Sequence, residues 1–440
     1  MAVEESKSGR KVVPQRDTLW LSGADAVNLA FGIAIHVVLT RAFLSDDYGT
    51  FVLLLDFFHV CVILVDLGLP TLIGRDGERL GKGLKLVLHR ISRIQFQAAV
   101  AAMLVFPVIG WFLFVKGGDW GWFEVALLLC FSAVVQVITY AHRTALRAVG
   151  EARLEAFVRI ADRGTVAILM VGFASGELLG FAVATAVGPL VALALALYLY
   201  LSKVAPQASD SADEPPDTAE MGSQQLVGAG LPFLFASAAL VVNVRIEKLL
   251  LGVFATPTDV AEFQIAWLGF IAGYGPILSL RAILLSWFGE VRNDIEKLKH
   301  RYKRALFACT LLSCVGAIIG VGVGPFAFEA LFPDYAESVQ RPFLALMLAW
   351  LFHSMASPSL ALIQVGDRPW NYTRILWTGI AVSSVACLYL IPTQPSAVMG
   401  AAGAAALASL VVLALAFAVA GRGGSAATEE TDIAEEQPGE

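Results

Sequence analysis

The chain has 440 residues, of which 57% are hydrophobic and only 15% charged, with a formal net charge of −6. A mean hydropathy of +0.71 excludes a soluble globular protein, which carries about 25% charge and about 45–50% apolar residues. The acidic excess comes from a linker and a tail rather than from a face, so it marks no nucleic-acid partner.

Between short charged clusters run apolar stretches of roughly 18–25 residues, each long enough to cross about 30 Å of hydrocarbon as a helix. Alternating segments of roughly 10 residues, the mark of membrane strands, are not seen. Residues 1–17 are polar and read as a cytoplasmic tail. The apolar run that starts near Thr18 is long and lacks a small-residue cleavage site, unlike a signal peptide. Twelve spans are expected, at 18–40, 49–73, 94–115, 123–141, 157–174, 178–201, 227–251, 262–286, 305–332, 342–363, 375–391 and 399–420. The stretch 206–220, PQASDSADEPPDTAE, has no apolar face and reads as a disordered cytoplasmic connection. The domains expected are thus a six-helix lobe at 18–201, a linker at 202–226, a second six-helix lobe at 227–420 and a disordered acidic tail at 421–440.

Loops on one side hold 23 of the 31 Lys and Arg residues, and the other side holds only Arg41, Lys116 and Arg341. The basic side is expected in the cytoplasm, with both termini, in a multi-pass protein of the cell membrane. The two halves carry related motifs in the same order. His89-Arg90-x-x-Arg93 matches His300-Arg301-x-x-Arg304, and Asp47 with Phe51 matches Asp259 with Phe263. Val149-Gly150-Glu151 followed by Arg159 matches Val365-Gly366-Asp367 followed by Arg374. An even number of spans per half gives both repeats one orientation. An all-α polytopic protein with two six-helix lobes about a pseudo-two-fold along the membrane normal is expected.

No G-x-x-x-x-G-K-[ST] loop and no nucleophile–base pair stands out, so the chain reads as a non-enzyme with no cofactor. The five cysteines, Cys61, Cys130, Cys309, Cys314 and Cys387, lie in apolar runs without metal-ligand spacing and read as free thiols. The informative residues are polar groups inside spans, where charge is costly and faces a cavity or a partner. Asp25, Asn28, Gly32 and His36 form one stripe of the first span. They read as a cavity wall with Asp25 or His36 as a proton site, or as interhelical hydrogen bonding. Asp56, His59 and Asp66 share a face of the second span, and Arg159 and Asp162 are spaced to pair locally. Arg245 and Lys248 lie one turn apart on the seventh span, with Glu247 directed elsewhere. They suit a phosphate, since arginine can fork onto it and lysine adds a point charge. Snorkelling is the alternative for Lys248. Arg281 has no acidic residue within one turn and reads as cavity lining. The basic loops 75–93 and 292–304 are explained by positive-inside charge, with recruitment of anionic lipid headgroups as the alternative.

The first hairpin, LTRAFLSDDYGTFVLLLDFFHVCVILVDLGLPTLIGRD, resembles the start of polysaccharide-export flippases. NVRIEKLLLGVFATPTDVAEFQIAW, EKLKHRYKRALF and ALFPDYAESVQRPFLALMLAW resemble their seventh helix, basic loop and entry to the tenth helix. The family is the multidrug/oligosaccharidyl-lipid/polysaccharide (MOP) exporter superfamily in its O-antigen flippase branch, and the similarity spans about residues 18–420. Members often carry aspartate where Glu247 falls. The resemblance implies a V-shaped pair of lobes that alternately open a cavity to either side. It implies a flippase that moves a lipid-linked oligosaccharide or polysaccharide precursor to the outer leaflet. Arg245, Lys248, Arg281, His36 and Asn28 would be substrate-side candidates, and Asp25, Asp56, His59 and Asp66 coupling candidates. Expected partners are the glycan substrate, membrane lipids, and glycosyltransferases or a polymerase. A cation-coupled multidrug antiporter of the same superfamily is the first rival, and a non-transporting scaffold or a polymerase the second.

Overall fold

A computed structural model describes residues 14–80, 83–115, 119–173, 177–204, 221–292, 294–366 and 370–435. Residues 1–13, most of the expected linker (205–220), Lys116 and Asp367 lie outside the described residues. Every regular element among the described residues is helical. In chain order these are α1 (Pro14–Ala42), α2 (Ser45–Cys61), α3 (Ile63–Asp66), α4 (Leu69–Leu80), α5 (Gly83–Phe114), α6 (Trp120–Ala148), α7 (Ala152–Gly172) and α8 (Leu178–Leu199). They continue with α9 (Ser223–Asn243), α10 (Ile246–Phe254), α11 (Pro257–Gly289), α12 (Ile295–Leu331), α13 (Ala336–Val365), α14 (Trp370–Thr393) and α15 (Ala397–Glu435). Ten described helical stretches are long and apolar enough to cross a membrane. The helices α7 and α11 take the fifth and eighth places in the order, completing twelve. The protein is an all-α multi-pass membrane protein.

Two expected spans are broken. The second is interrupted at Val62 and ends at Asp66, where Leu67 and Gly68 take left-handed φ of 52° and 68°. Asp66 accepts from the Gly68 N–H at 3.3 Å and so closes that turn. A Cβ on Gly68 would overlap the backbone of Gly230 and Leu234, so glycine is required there for close approach as well as for φ. The seventh span stops at Asn243 and restarts at Ile246, with Arg245 at the break. Two helices instead begin earlier than expected: α5 and α12 take in the basic runs before the apolar spans, so those runs are helical turns rather than loops. The last helix continues past Gly421 to Glu435.

The chain forms two compact units. The first gathers Met1–Val38, Cys61–Ile109 and Asp119–Leu234. Its core joins Leu69, Leu72 and Ile73 of α4 to Val87 and Ile91 of α5, Leu146 of α6 and Ala192 of α8. The second gathers Leu39–Val60, Gly110–Gly118 and Phe235–Glu440. There α13 packs against α11, α12 and α15, and α15 packs along α14. Segment Leu39–Val60 enters this unit through close backbone contact, since a Cβ on Gly49 would overlap the Pro257 carbonyl.

Candidate functional site

Helix α11, in the second unit, is the axis of the site. Phe263, Trp267, Phe270 and Tyr274 recur at steps of four, three and four, which puts one ring per turn on one face. All four are buried. Successive ring centroids lie 5.7, 4.3 and 5.6 Å apart with interplanar angles of 22°, 24° and 21°, a stacked ladder. A charged cluster sits at each end.

At the first end, Lys248 of α10 donates to Gln264 Oε1 at 2.7 Å, pairs with Asp56 and lies 5.9 Å from the Trp267 ring centroid. Arg245 donates through Nε to Asp56 Oδ1 at 3.0 Å and through Nη1 to the Val241 carbonyl at 3.3 Å. Asp56 is 9% exposed and Lys248 4%. Arg245 stands at the break between α9 and α10, and Lys248 follows three residues on. Two cations therefore share a single acid, so the phosphate contact expected from the sequence would compete with Asp56. Burial and the Asp56 and Gln264 bonds also remove the snorkelling alternative for Lys248. Glu247 is buried as well, accepting from the Ser383 hydroxyl at 2.6 Å, while its Oε2 has no hydrogen-bond partner.

At the second end stands Arg281, 4% exposed. It lies 17 residues beyond Gln264, roughly 25 Å along a helix at about 1.5 Å per residue. Nη1 donates to the Tyr372 hydroxyl at 3.1 Å, Nη2 lies 3.1 Å from His353 Nε2, and Nε is buried without a hydrogen-bond partner. Arginine can only donate, so His353 Nε2 is the acceptor and the imidazole proton is on Nδ1. The His353 ring lies 5.1 Å from Tyr274 and extends the ladder to this end. Among the described residues no carboxylate pairs with Arg281.

In the first unit, Asp25 accepts from Arg159 at 2.7 Å. Arg159 also forks onto the fully buried Glu155 at 2.9 and 3.2 Å, and Arg143 and Arg147 approach Glu155 at 3.7 and 3.6 Å. The expected Arg159–Asp162 pair is replaced by Arg159–Glu155, one turn back, because Glu155 is the acid that three arginines surround. Asn28 Oδ1 is buried without a partner, and His36 is half-buried. His59 Nδ1 lies 2.6 Å from the Leu55 carbonyl. The shared face of Asp56, His59 and Asp66 is lost at the Val62 break: Asp56 belongs to the second unit and Asp66 caps a turn in the first.

Sequence reasoning passed over Glu155, Gln264, His353 and Tyr372, and left Glu247 without a role. Glu155 and Glu247 carried the same signal as the residues it chose, a carboxylate in or beside an apolar run. Gln264 and the ring stripe were visible as a four-three-four spacing. His353 and Tyr372 carried no local signal, since Arg281 lies 72 and 91 residues away from them.

The fold is shared with known transporters. The inward-facing structure of a multidrug resistance MATE family transporter of the MOP superfamily matches with TM-score 0.70 and 17% identity, covering 96% of this chain and 99% of that one. An outward-facing structure of a multidrug resistance MATE family transporter matches with TM-score 0.70 and 15% identity, covering 97% and 100%. A MATE in complex with MaD5 matches with TM-score 0.68 and 16% identity, covering 97% and 100%. No protein-family model and no curated protein matches the sequence.

Proposed function

We propose that the chain is an exporter of the MATE mould that moves its cargo out of the cell at the expense of an ion gradient, the antiporter reading. The shared fold supports transport, and the sequence offers no nucleotide-binding loop to drive it. The observation that carries the reading is Glu247. A buried carboxyl with one hydroxyl donor and one free oxygen is a place for a proton or a monovalent cation, and ionisable groups inside spans mark such pathways. The test is efflux of a cationic dye from cells stripped of their own exporters. Glu247→Gln should lower efflux about tenfold at unchanged membrane abundance, and Glu247→Asp should keep part of it. Wild-type protein that exports no dye, or a glutamine variant as active as wild type, rejects the reading.

A second reading is favoured by Arg281. A buried guanidinium with an unpartnered Nε and no paired carboxylate among the described residues suits an anionic cargo, as a phosphate-linked glycan would be. Under this flippase reading Arg281→Ala lowers surface glycan strongly, Arg281→Lys restores part of it, and dye efflux is unaffected. In either case charge asymmetry puts both termini in the cytoplasm. Single cysteines at Asp119 and Asp334, in a cysteine-free background, should then react with impermeant reagent in intact cells. Reaction at Lys85 or Lys297 instead reverses the orientation.

A further inference from the structure

The end of α11 and the first turns of α12 border an open cavity of about 480 Å³ that neither transport reading uses. Its lining is Trp287, Glu296, Lys297, His300, Arg301 and Arg304. Positions 297, 300, 301 and 304 follow helical spacing, so α12 turns four basic side chains to one side. Two of them are locally balanced: Lys297 pairs with Asp294 at 2.7 Å and Arg301 with Glu290 at 2.8 Å. Arg304 and His300 have no ion-pair partner among the described residues. The Arg301 guanidinium is 5.2 Å from the Trp287 ring centroid, which holds it at the cavity wall.

The next turns of α12 place the cavity relative to the membrane. Phe307 is 72% exposed, Leu311 54%, Leu312 59% and Ile318 72%. In a membrane protein such a run is lipid-facing surface, and it begins one turn past Arg304. The cavity thus opens where the apolar face of α12 meets the basic turns, the level at which tryptophan and lipid headgroups reside.

We propose that this cavity binds the phosphate headgroup of an anionic membrane lipid, with Arg304 and His300 as its principal ligands and the acyl chains lying along Phe307 and Leu311. A free phosphate would satisfy the cations but leave the adjoining apolar surface unused, so a lipid fits the whole surface better. Such a site would tie α11, which contributes Gln264 to one cluster and Arg281 to the other, to the composition of the leaflet. It does not depend on the cargo, and binding is measured without transport.

The test uses the purified full-length chain, stripped of lipid in detergent, with native mass spectrometry as the readout. Phosphatidylglycerol, phosphatidylcholine and inorganic phosphate are added at matched concentrations. Wild-type protein should retain phosphatidylglycerol over phosphatidylcholine. Arg304→Gln should weaken that retention about fivefold, the factor expected for one surface cation, and His300→Gln/Arg304→Gln should abolish the preference. Arg304→Lys should restore most of it. Both positions are exposed, so folding is preserved, and the thermal midpoint of each variant confirms it. Equal retention of the two lipids, or a double variant that retains phosphatidylglycerol like wild type, overturns the proposal. Inorganic phosphate displacing phosphatidylglycerol at equal concentration overturns the lipid assignment in favour of a free-anion site.

Discussion

The two ends of the α11 ladder handle buried charge in opposite ways. At the Gln264 end, Arg245 and Lys248 are held by Asp56, a carboxylate 189 residues away from Arg245 in sequence. At the other end Arg281 has, among the described residues, an imidazole and a phenol as its side-chain hydrogen-bond partners. Taking a charge out of water is costly, and a nearby opposite charge offsets the cost only with good geometry. The first cluster is therefore built to persist, because each cation satisfies and orients the shared acid. The second is incomplete, and incompleteness is what a ligand site requires. The same contrast separates Glu247, with one oxygen left over, from Asp56, which holds two cations.

The largest expected effect comes from removing the shared acid. Asp56→Ala strands buried Lys248 and half-buried Arg245 and should cost about 3–5 kcal/mol, read as a sharp fall in thermal midpoint in detergent. A small effect would mean that water or another acid reaches Arg245 and Lys248, and the contrast between the ends would collapse. Cutting the ladder comes next. Phe270→Leu ends stacking on both sides and shrinks a buried side chain, for a loss of about 1–3 kcal/mol in the same melt.

Smaller effects sharpen the comparison. Lys248→Met leaves a balanced Asp56–Arg245 pair and should cost about 1 kcal/mol, well below Asp56→Ala. Arg281→Met should also stay within about 1 kcal/mol of wild type in stability, because relief from a solitary buried charge offsets the orphaned Tyr372 and His353 atoms. If Arg281→Met destabilises as strongly as Asp56→Ala, Arg281 has an anionic partner and the two ends are alike.

The smallest effect belongs to an exposed charge. Asp294 caps α12 by accepting from the Lys297 N–H at 3.0 Å. The Lys297 ammonium and N–H hold its carboxyl below the ordinary carboxylate range. A depressed folded-state value means that this contribution is present above about pH 4 and is lost as pH falls through the folded value. The melts of wild type and Asp294→Ala should differ slightly at pH 7 and converge as pH falls through the folded-state value. Curves that diverge on acidification would show that Asp294 is not the titrating cap.

The sequence carried much of the fold because length and apolarity are local properties. A stretch of about 20 apolar residues crosses a bilayer whatever its neighbours are, and the twelve spans follow from that alone. Positive charge marks one side of the membrane for the same reason. Even so, the spans at 49–73 and 227–251 hid their breaks. Val62 and Val244 look like any apolar residues, and only Gly68 carries a backbone signal.

What the sequence determined by itself was therefore the class of molecule, the order of its helices, and the fact that charge lies within spans at Asp56, Arg245, Lys248 and Arg281. Which charges meet was decided by the tertiary structure alone. Asp56 pairs with Arg245 and Lys248 rather than with His59 on its own span, and Arg159 with Glu155 rather than Asp162. The reason is electrostatic. In a low-dielectric interior a charge is governed by the few groups within hydrogen-bond reach, and those groups are fixed by helix packing rather than by distance along the chain. The cation of Arg281 could be read from one segment; that its described neighbours are a phenol and an imidazole could be seen only once α13 and α14 had brought His353 and Tyr372 to it.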